Sequence, residues 1–312
     1  MGATYRGARG LGEMLGAGVR ALKRYTGTLF AVFVVQSLIA GACLVAVAVV
    51  LAQAFSHLPI FDEAVDGDLV AMIWILRHGG TTFLAVGGIV FGTILLWQLA
   101  SWFLAGGIYG VLAQRPESRS DTAKCFGASG ATTYLAYARL ALYSLPGWAL
   151  VLTVFGMCLG SVGTRIEYAL TVPELVGALA FALVPALLLL HVLWTVTDYA
   201  RVELTLRQET HDPSVFATYL RTFGFVLRRP LTLIHAGVGW ILFLLVTLAY
   251  AYLAQGHPMY GAAGAVTLFI ARQGISLLRM AIHVGVMAGQ LELGRTRALP
   301  PRRVEAKVDA AS

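Results

Sequence analysis

Charge is what this sequence has least of. Asp, Glu, Lys and Arg make up 12% of the 312 residues, against about 25% in a soluble globular domain. So small a charged share excludes an ordinary water-soluble enzyme and a disordered chain alike. Cysteine is scarce too: Cys43, Cys125 and Cys158 are the whole set, with no CxxC and no ligand spacing. That excludes a disulfide-stapled secreted domain and leaves no metal site, so the three read as small buried hydrophobes. Catalytic signatures are missing as well. There is no GxSxG, P-loop, HExxH, or GxGxxG at a strand-to-helix junction, each of which places a nucleophile, a phosphate cradle or a metal. Outside the apolar runs no stretch exceeds about 30 residues, where a soluble catalytic domain needs on the order of 100. The expectation is a non-enzymatic protein without cofactor or metal.

What the chain has in abundance is apolar residues, 58% by count with a mean hydropathy of +0.76. Crossing a hydrocarbon core takes about 20 apolar residues at 1.5 Å rise each. Six runs qualify, at 28–54, 82–106, 138–162, 175–197, 231–255 and 262–287. They are continuous rather than alternating and too long for barrel strands, and lipid leaves a single span no other way than a helix to satisfy its backbone. The fold class is therefore all-α, a polytopic integral membrane protein forming one transmembrane domain over 1–312, with 298–312 as a flexible tail. Ala52-Gln53-Ala54 resembles a signal-peptidase site, but the apolar run before it far exceeds an h-region of about 7–15 residues, so the first span is retained.

Orientation follows from Lys and Arg. Nineteen of the 23 fall before span 1, between spans 2 and 3, between spans 4 and 5, or in the tail. The opposite connections hold Arg77 and Arg165 beside Asp62, Glu63, Asp66, Asp68, Glu167 and Glu174. Both termini are expected in the cytoplasm. The net charge of +7 then reflects topology and attraction to anionic lipid, not a nucleic-acid footprint. Arg outnumbers Lys 20 to 3, which points to a GC-rich bacterial genome and hence a cell (inner) membrane.

The basic connections resemble one another. Asp212-Pro213 is a helix start, an N-cap before proline at the first helical position. After it Val215, Phe216, Tyr219, Leu220, Phe223, Val226 and Leu227 make an apolar stripe, with Arg221, Arg228 and Arg229 largely opposite. Such a helix should lie in the membrane surface with its basic side toward phosphates. Ser120-Asp121 opens a similar stretch through Cys125, Phe126, Tyr134 and Leu135 to Arg139, and Leu11, Met14, Leu15, Val19 and Leu22 form a third stripe beside Arg20, Lys23 and Arg24. A shift of ninety residues superposes Tyr109 on Tyr199, Phe126 on Phe216 and Arg139 on Arg229, and a shift of eighty-nine carries Glu203-Leu204 onto Glu292-Leu293. The chain thus reads as three helical-hairpin modules, 8–114, 120–207 and 212–297, each led by a cytoplasmic amphipathic interfacial helix. Arg20, Lys23, Arg24, Arg139, Arg228 and Arg229 are the expected membrane-surface cations.

Span 6 carries a polar stripe: Arg272, Ser276, Arg279, His283 and Gln290 share one sector of the helix. Intramembrane arginine costs a few kcal/mol on insertion scales and faces a partner, a bundle interior or water. At comparable depth the other spans offer no Asp or Glu, Asp198 and Glu203 lying at the inner end of span 4. Two readings remain. Arg279 with His283 and Arg272 binds an anionic group, most naturally a phospholipid phosphate; or Arg279 snorkels inward or bonds carbonyls freed by Pro146 and Pro185, while Arg272 reaches outward. His191 and His235, without companions at helical spacing, read as satisfied packing histidines.

The run DYARVELTLRQE leaving span 4, its continuation into FATYLRTFGFVLRRP, and SLLRMAIHVGVMAGQLELG ending span 6 resemble a broad class of bacterial six-span membrane proteins. These are similar to the membrane domain attached to some glycerophosphodiester phosphodiesterases. The resemblance implies a helical membrane domain and no activity here, since the phosphodiesterase barrel has no counterpart in these residues. The leading expectation is a protein that binds or organises anionic lipid, a membrane-protein partner or a second copy of itself through basic interfacial helices. The alternative is a transporter or lipid-translocating permease with its pathway along the polar stripe of span 6.

Overall fold

The structure is a computed structural model and describes residues 10–60, 63, 68–167, 171–207, 214–255 and 261–296. Nine helices stand out among them: α1 (Leu11–Arg24), α2 (Thr26–Phe55), α3 (Leu69–His78), α4 (Gly80–Gln114), α5 (Arg119–Glu167), α6 (Val172–Leu206), α7 (Val215–Arg228), α8 (Pro230–Gln255) and α9 (Gly261–Arg295). No strand occurs among the described residues. Six helices, α2, α4, α5, α6, α8 and α9, are long and apolar enough to cross a membrane, one for each run read from the sequence. Their outward residues are apolar and bare, as at Leu38, Leu84, Leu152 and Leu188, a surface that hydrocarbon accommodates and water does not.

Local chemistry sets the ends. Asp68 caps α3, accepting from the Val70 and Ala71 amides at 2.7 and 3.1 Å, so the connection after α2, read from sequence only as an acidic segment, contains a helix of 10 residues. That is far too short to span. Thr171 and Glu174 close a capping box on α6. Ser214 caps α7; the expected Asp212-Pro213 start, like Asp62, Asp66 and the tail from 298, lies outside the described residues.

One element differs from expectation. The amphipathic stretch after Ser120-Asp121 is not a separate helix but the beginning of α5, which runs 49 residues with Pro146 inside it. At 1.5 Å per residue that is about 73 Å, more than twice a hydrocarbon core of ~30 Å.

Contacts divide the chain into two units, residues 27–104 and the remainder. In the first, Phe55, Ala71 and Ile75 form a small core with Leu51 and Phe83 packed on it. In the second, three surface stretches each lie on the end of a long helix. Met14, Ala17, Gly18 and Ala21 are the buried face of α1, which packs on α9. Ser129, Gly130 and Thr133 are buried on α5, where Gly106 and Gly110 at the end of α4 come so close that a Cβ on either would collide with Thr133 or Ser129. Thr218, Tyr219 and Thr222 are buried on α7, which packs on α6 with Tyr199 and Phe225 edge to face at 5.4 Å. Small and hydroxyl side chains at these positions let backbones approach closely. The apolar stripes are therefore split: Val215, Tyr219 and Val226 face protein, whereas Phe216, Leu220 and Leu227 are exposed, as are Leu15 and Val19 on α1.

Candidate functional site

Among the described residues of the larger unit, α9 lines two cavities that hold charged side chains. The first, about 140 Å³, is bordered by Ala17, Arg20, Ala21, Arg24, Tyr25, Leu112, Arg115, Ala288, Leu291 and Glu292. Three arginines, Arg20, Arg24 and Arg115, and one carboxylate, Glu292, line it. Arg115 holds Glu292 at 2.5 Å, and Arg295 reaches the same Oε1 at 3.2 Å. Arg295 also donates to the Ala113 carbonyl at 2.6 Å, and Arg24 donates to the carbonyls of Arg115 and Pro116 at 3.2 Å each, tying α1 and α9 to the end of α4. Arg115 adopts φ 55°, a left-handed conformation unusual for a residue with a side chain, which turns the chain out of α4. Tyr25 adds a buried hydroxyl with no hydrogen-bond partner. Burial pushes its phenol up, outweighing the downward pull of Arg24 and Arg115, so it remains a neutral donor.

The second cavity, about 200 Å³, is lined by α6, α8 and α9 and includes Trp194, Asp198, Trp240, Phe243, Arg279, His283 and Gln290. At one end a buried relay runs between helices. Tyr109 donates to Gln290 Oε1 at 3.2 Å, the Gln290 amide donates to Asp198 Oδ2 at 3.4 Å, and Arg201 pairs with Asp198 Oδ1 at 3.2 Å. Tyr109, Asp198 and Gln290 are all buried, and a buried carboxylate persists only when so compensated. At the other end the Arg279 guanidinium lies 4.5 Å from the Phe243 ring centroid and donates to the Thr247 hydroxyl. Its Nε is buried without a hydrogen-bond partner.

The residues singled out from sequence fare differently. Arg279 and His283 line one cavity. Arg272 is exposed and is not among the lining residues. Arg20 and Arg24 border the first cavity; Lys23, Arg139 and Arg228 are exposed beyond it. Arg229 stacks on Phe225 at 5.0 Å and reaches Thr296 at 3.4 Å. His191 is a satisfied packing histidine, with Nε2 3.1 Å from the Leu233 carbonyl. His235 is not: it is buried, and both ring nitrogens lack hydrogen-bond partners. Reasoning on sequence missed Thr247 and Phe243 as the partners of Arg279, because a lone threonine and a phenylalanine on an apolar helix carry no signal of their own. It also missed Arg115, which only the fold brings to α1, and Tyr25, the residue that follows α1.

No protein family, curated protein or solved structure matches this chain. The chemistry of the two cavities has to carry the functional reading.

Proposed function

We propose that this is a non-enzymatic multi-pass protein of a bacterial cell (inner) membrane, with both termini cytoplasmic, that binds anionic phospholipid where α1 meets α9. The observation that carries it is the pocket lined by Arg20, Arg24 and Arg115, three cations to the single carboxylate of Glu292. Guanidinium groups, whose planar fork of donors matches phosphate oxygens, suit a phosphate headgroup. On the membrane surface each basic residue contributes about 1 kcal/mol of attraction to anionic lipid. The exposed Leu15 and Val19 beside Arg20 and Lys23 give α1 a lipid-facing edge next to its basic one, as a helix lying in the interface requires.

The same reading takes the chain as three modules. Support comes from the contacts: the leading stretch of the second packs on α4, that of the third on α6, and that of the first, α1, on α9, so the three contacts close a cycle. Buried positions 129, 130 and 133 recur 89 residues on at 218, 219 and 222, and with the same spacing at 17, 18 and 21. A register of 89 therefore superposes the buried faces. A register of 90 sets Phe126, packed on Gly107, over the exposed Phe216.

Mass spectrometry of lipids that co-purify with the full chain in mild detergent tests the proposal. Anionic phospholipid should be enriched over the host membrane and lost from an Arg20→Ala/Arg24→Ala variant of unchanged melting temperature. A lipid profile equal to that of the host membrane in both proteins would overturn it.

A further inference from the structure

The second cavity does something the surface pocket does not. It sets a guanidinium and an imidazole on one wall. The Nε of Arg279 is buried with no acceptor, and His283, one helical turn away on the same face of α9, lines the same cavity. The acceptors nearby are already engaged: Thr247 takes Arg279, and the Asp198 carboxylate takes Arg201 and Gln290. Gln290 is moreover seven residues inward of His283, about 10 Å along the helix. A guanidinium and an imidazole at one end and a compensated carboxylate at the other favour an anionic group beside Arg279 and His283.

The walls restrict what the anion is attached to. Trp194, Trp240 and Phe243 border the cavity and are 37, 41 and 37% exposed, on helices long and apolar enough to lie within a membrane. The mouth they form is apolar and opens toward lipid. About 200 Å³ compares with the roughly 150 Å³ engineered cavity that takes a benzene, which is room for a head of a few atoms and not for acyl chains. Depth agrees. Arg279 stands six residues outward of Gly285, against which α1 rests, or about 9 Å, within the inner half of a ~30 Å core.

We infer that the α6–α8–α9 cavity is an intramembrane site for the phosphate or carboxylate head of an amphiphile entering sideways from the inner leaflet, with Arg279 and His283 binding the head and Trp194, Trp240 and Phe243 the carbons next to it. From the proposed function it takes only the placement of α1 at the cytoplasmic interface.

Trp194 and Trp240 supply the readout. The full chain, delipidated and held in neutral detergent, is titrated with brominated phosphatidylglycerol, brominated phosphatidylcholine or a brominated fatty acid, following tryptophan fluorescence. Saturable quenching should appear with an anionic amphiphile and not with phosphatidylcholine. Competition by unbrominated phosphatidylglycerol or by unbrominated fatty acid then names the source of the head. Arg279→Gln should raise the half-saturating concentration at least tenfold, and Arg20→Ala/Arg24→Ala should leave it unchanged, so failure of the surface pocket and failure of this site are separate results. Equal quenching of the unaltered protein by phosphatidylglycerol, fatty acid and phosphatidylcholine would overturn the inference, whether or not the Arg279 variant folds. Competition by inorganic phosphate alone would also overturn it, showing a site for the free ion.

Discussion

Gly18 on α1 lies against Gly285 on α9 so closely that a Cβ on Gly18 would stand 2.7 Å from the Gly285 carbonyl oxygen. Helix approach at this distance is what small residues permit, and it places Arg20 and Arg24 beside Arg115 and Glu292. The surface pocket therefore depends on a glycine contact with no charge in it. Gly18→Leu should separate the helices, costing about 1–3 kcal/mol as overpacked sites do, and lower the melting temperature in detergent. Gly12→Ala, where a Cβ meets nothing within 4 Å, should not lower it. Equal melting of Gly18→Leu and the parent chain would show that α1 is not seated on α9.

Removing the pocket's cations should weaken lipid binding without unfolding the protein. Two basic residues at about 1 kcal/mol each correspond to about a 30-fold rise in Kd for phosphatidylglycerol in Arg20→Ala/Arg24→Ala, measured in detergent with a labelled lipid. Because these charges stand at the surface, raising the salt concentration to 1 M, where the Debye length falls to about 3 Å, should weaken the parent chain's binding as well. Binding indifferent to both changes would place the lipid elsewhere.

Glu292 has a structural role in the same place. It answers Arg115 and Arg295 together, and Glu292→Ala removes both of these pairs at the end of α4. Breaking a buried pair costs about 3–5 kcal/mol. Arg115 is 35% exposed, so a loss of about 2 kcal/mol is the expected outcome, read as thermal unfolding, and Glu292→Gln should recover part of it through its remaining carbonyl. A Glu292→Ala protein as stable as the parent would show these pairs to be worth as little as exposed ones.

Thr247 distinguishes packing from binding at Arg279. In Thr247→Val the guanidinium loses its hydroxyl acceptor, at about 1 kcal/mol of stability. An anion in the cavity then meets a guanidinium with one more donor to offer, so brominated phosphatidylglycerol should bind at least as tightly as before. A tenfold weakening would mean that Thr247, not Arg279, organises the site.

The six spans were legible because crossing hydrocarbon demands long unbroken apolar runs, and α2, α4, α5, α6, α8 and α9 each follow one. Helix faces were legible only in part. A stripe such as Val215, Phe216, Tyr219 and Leu220 reads as one apolar side, yet the chain divides it, turning Tyr219 to protein and Phe216 outward. Several residues in close interhelical contact, Gly18, Gly106, Gly110, Ser129 and Thr133, are ones that hydropathy scores as neutral. The polar stripe of α9 was visible from spacing, and Arg279 and His283 do share a cavity. The carboxylate that meets the stripe was not visible, because Asp198 reads as the end of a span until Gln290, seven residues beyond His283, is seen to reach it.

Cryo-electron microscopy of the full chain purified with its native lipid tests the central claim most directly. Headgroup density is expected within hydrogen-bonding distance of Arg20, Arg24 and Arg115, with acyl chains running from it along the exposed apolar edge of α1 and the headgroup identified as anionic by mass spectrometry of the same sample. Density for a zwitterionic lipid there, or a pocket closed by protein side chains in lipid, would contradict it.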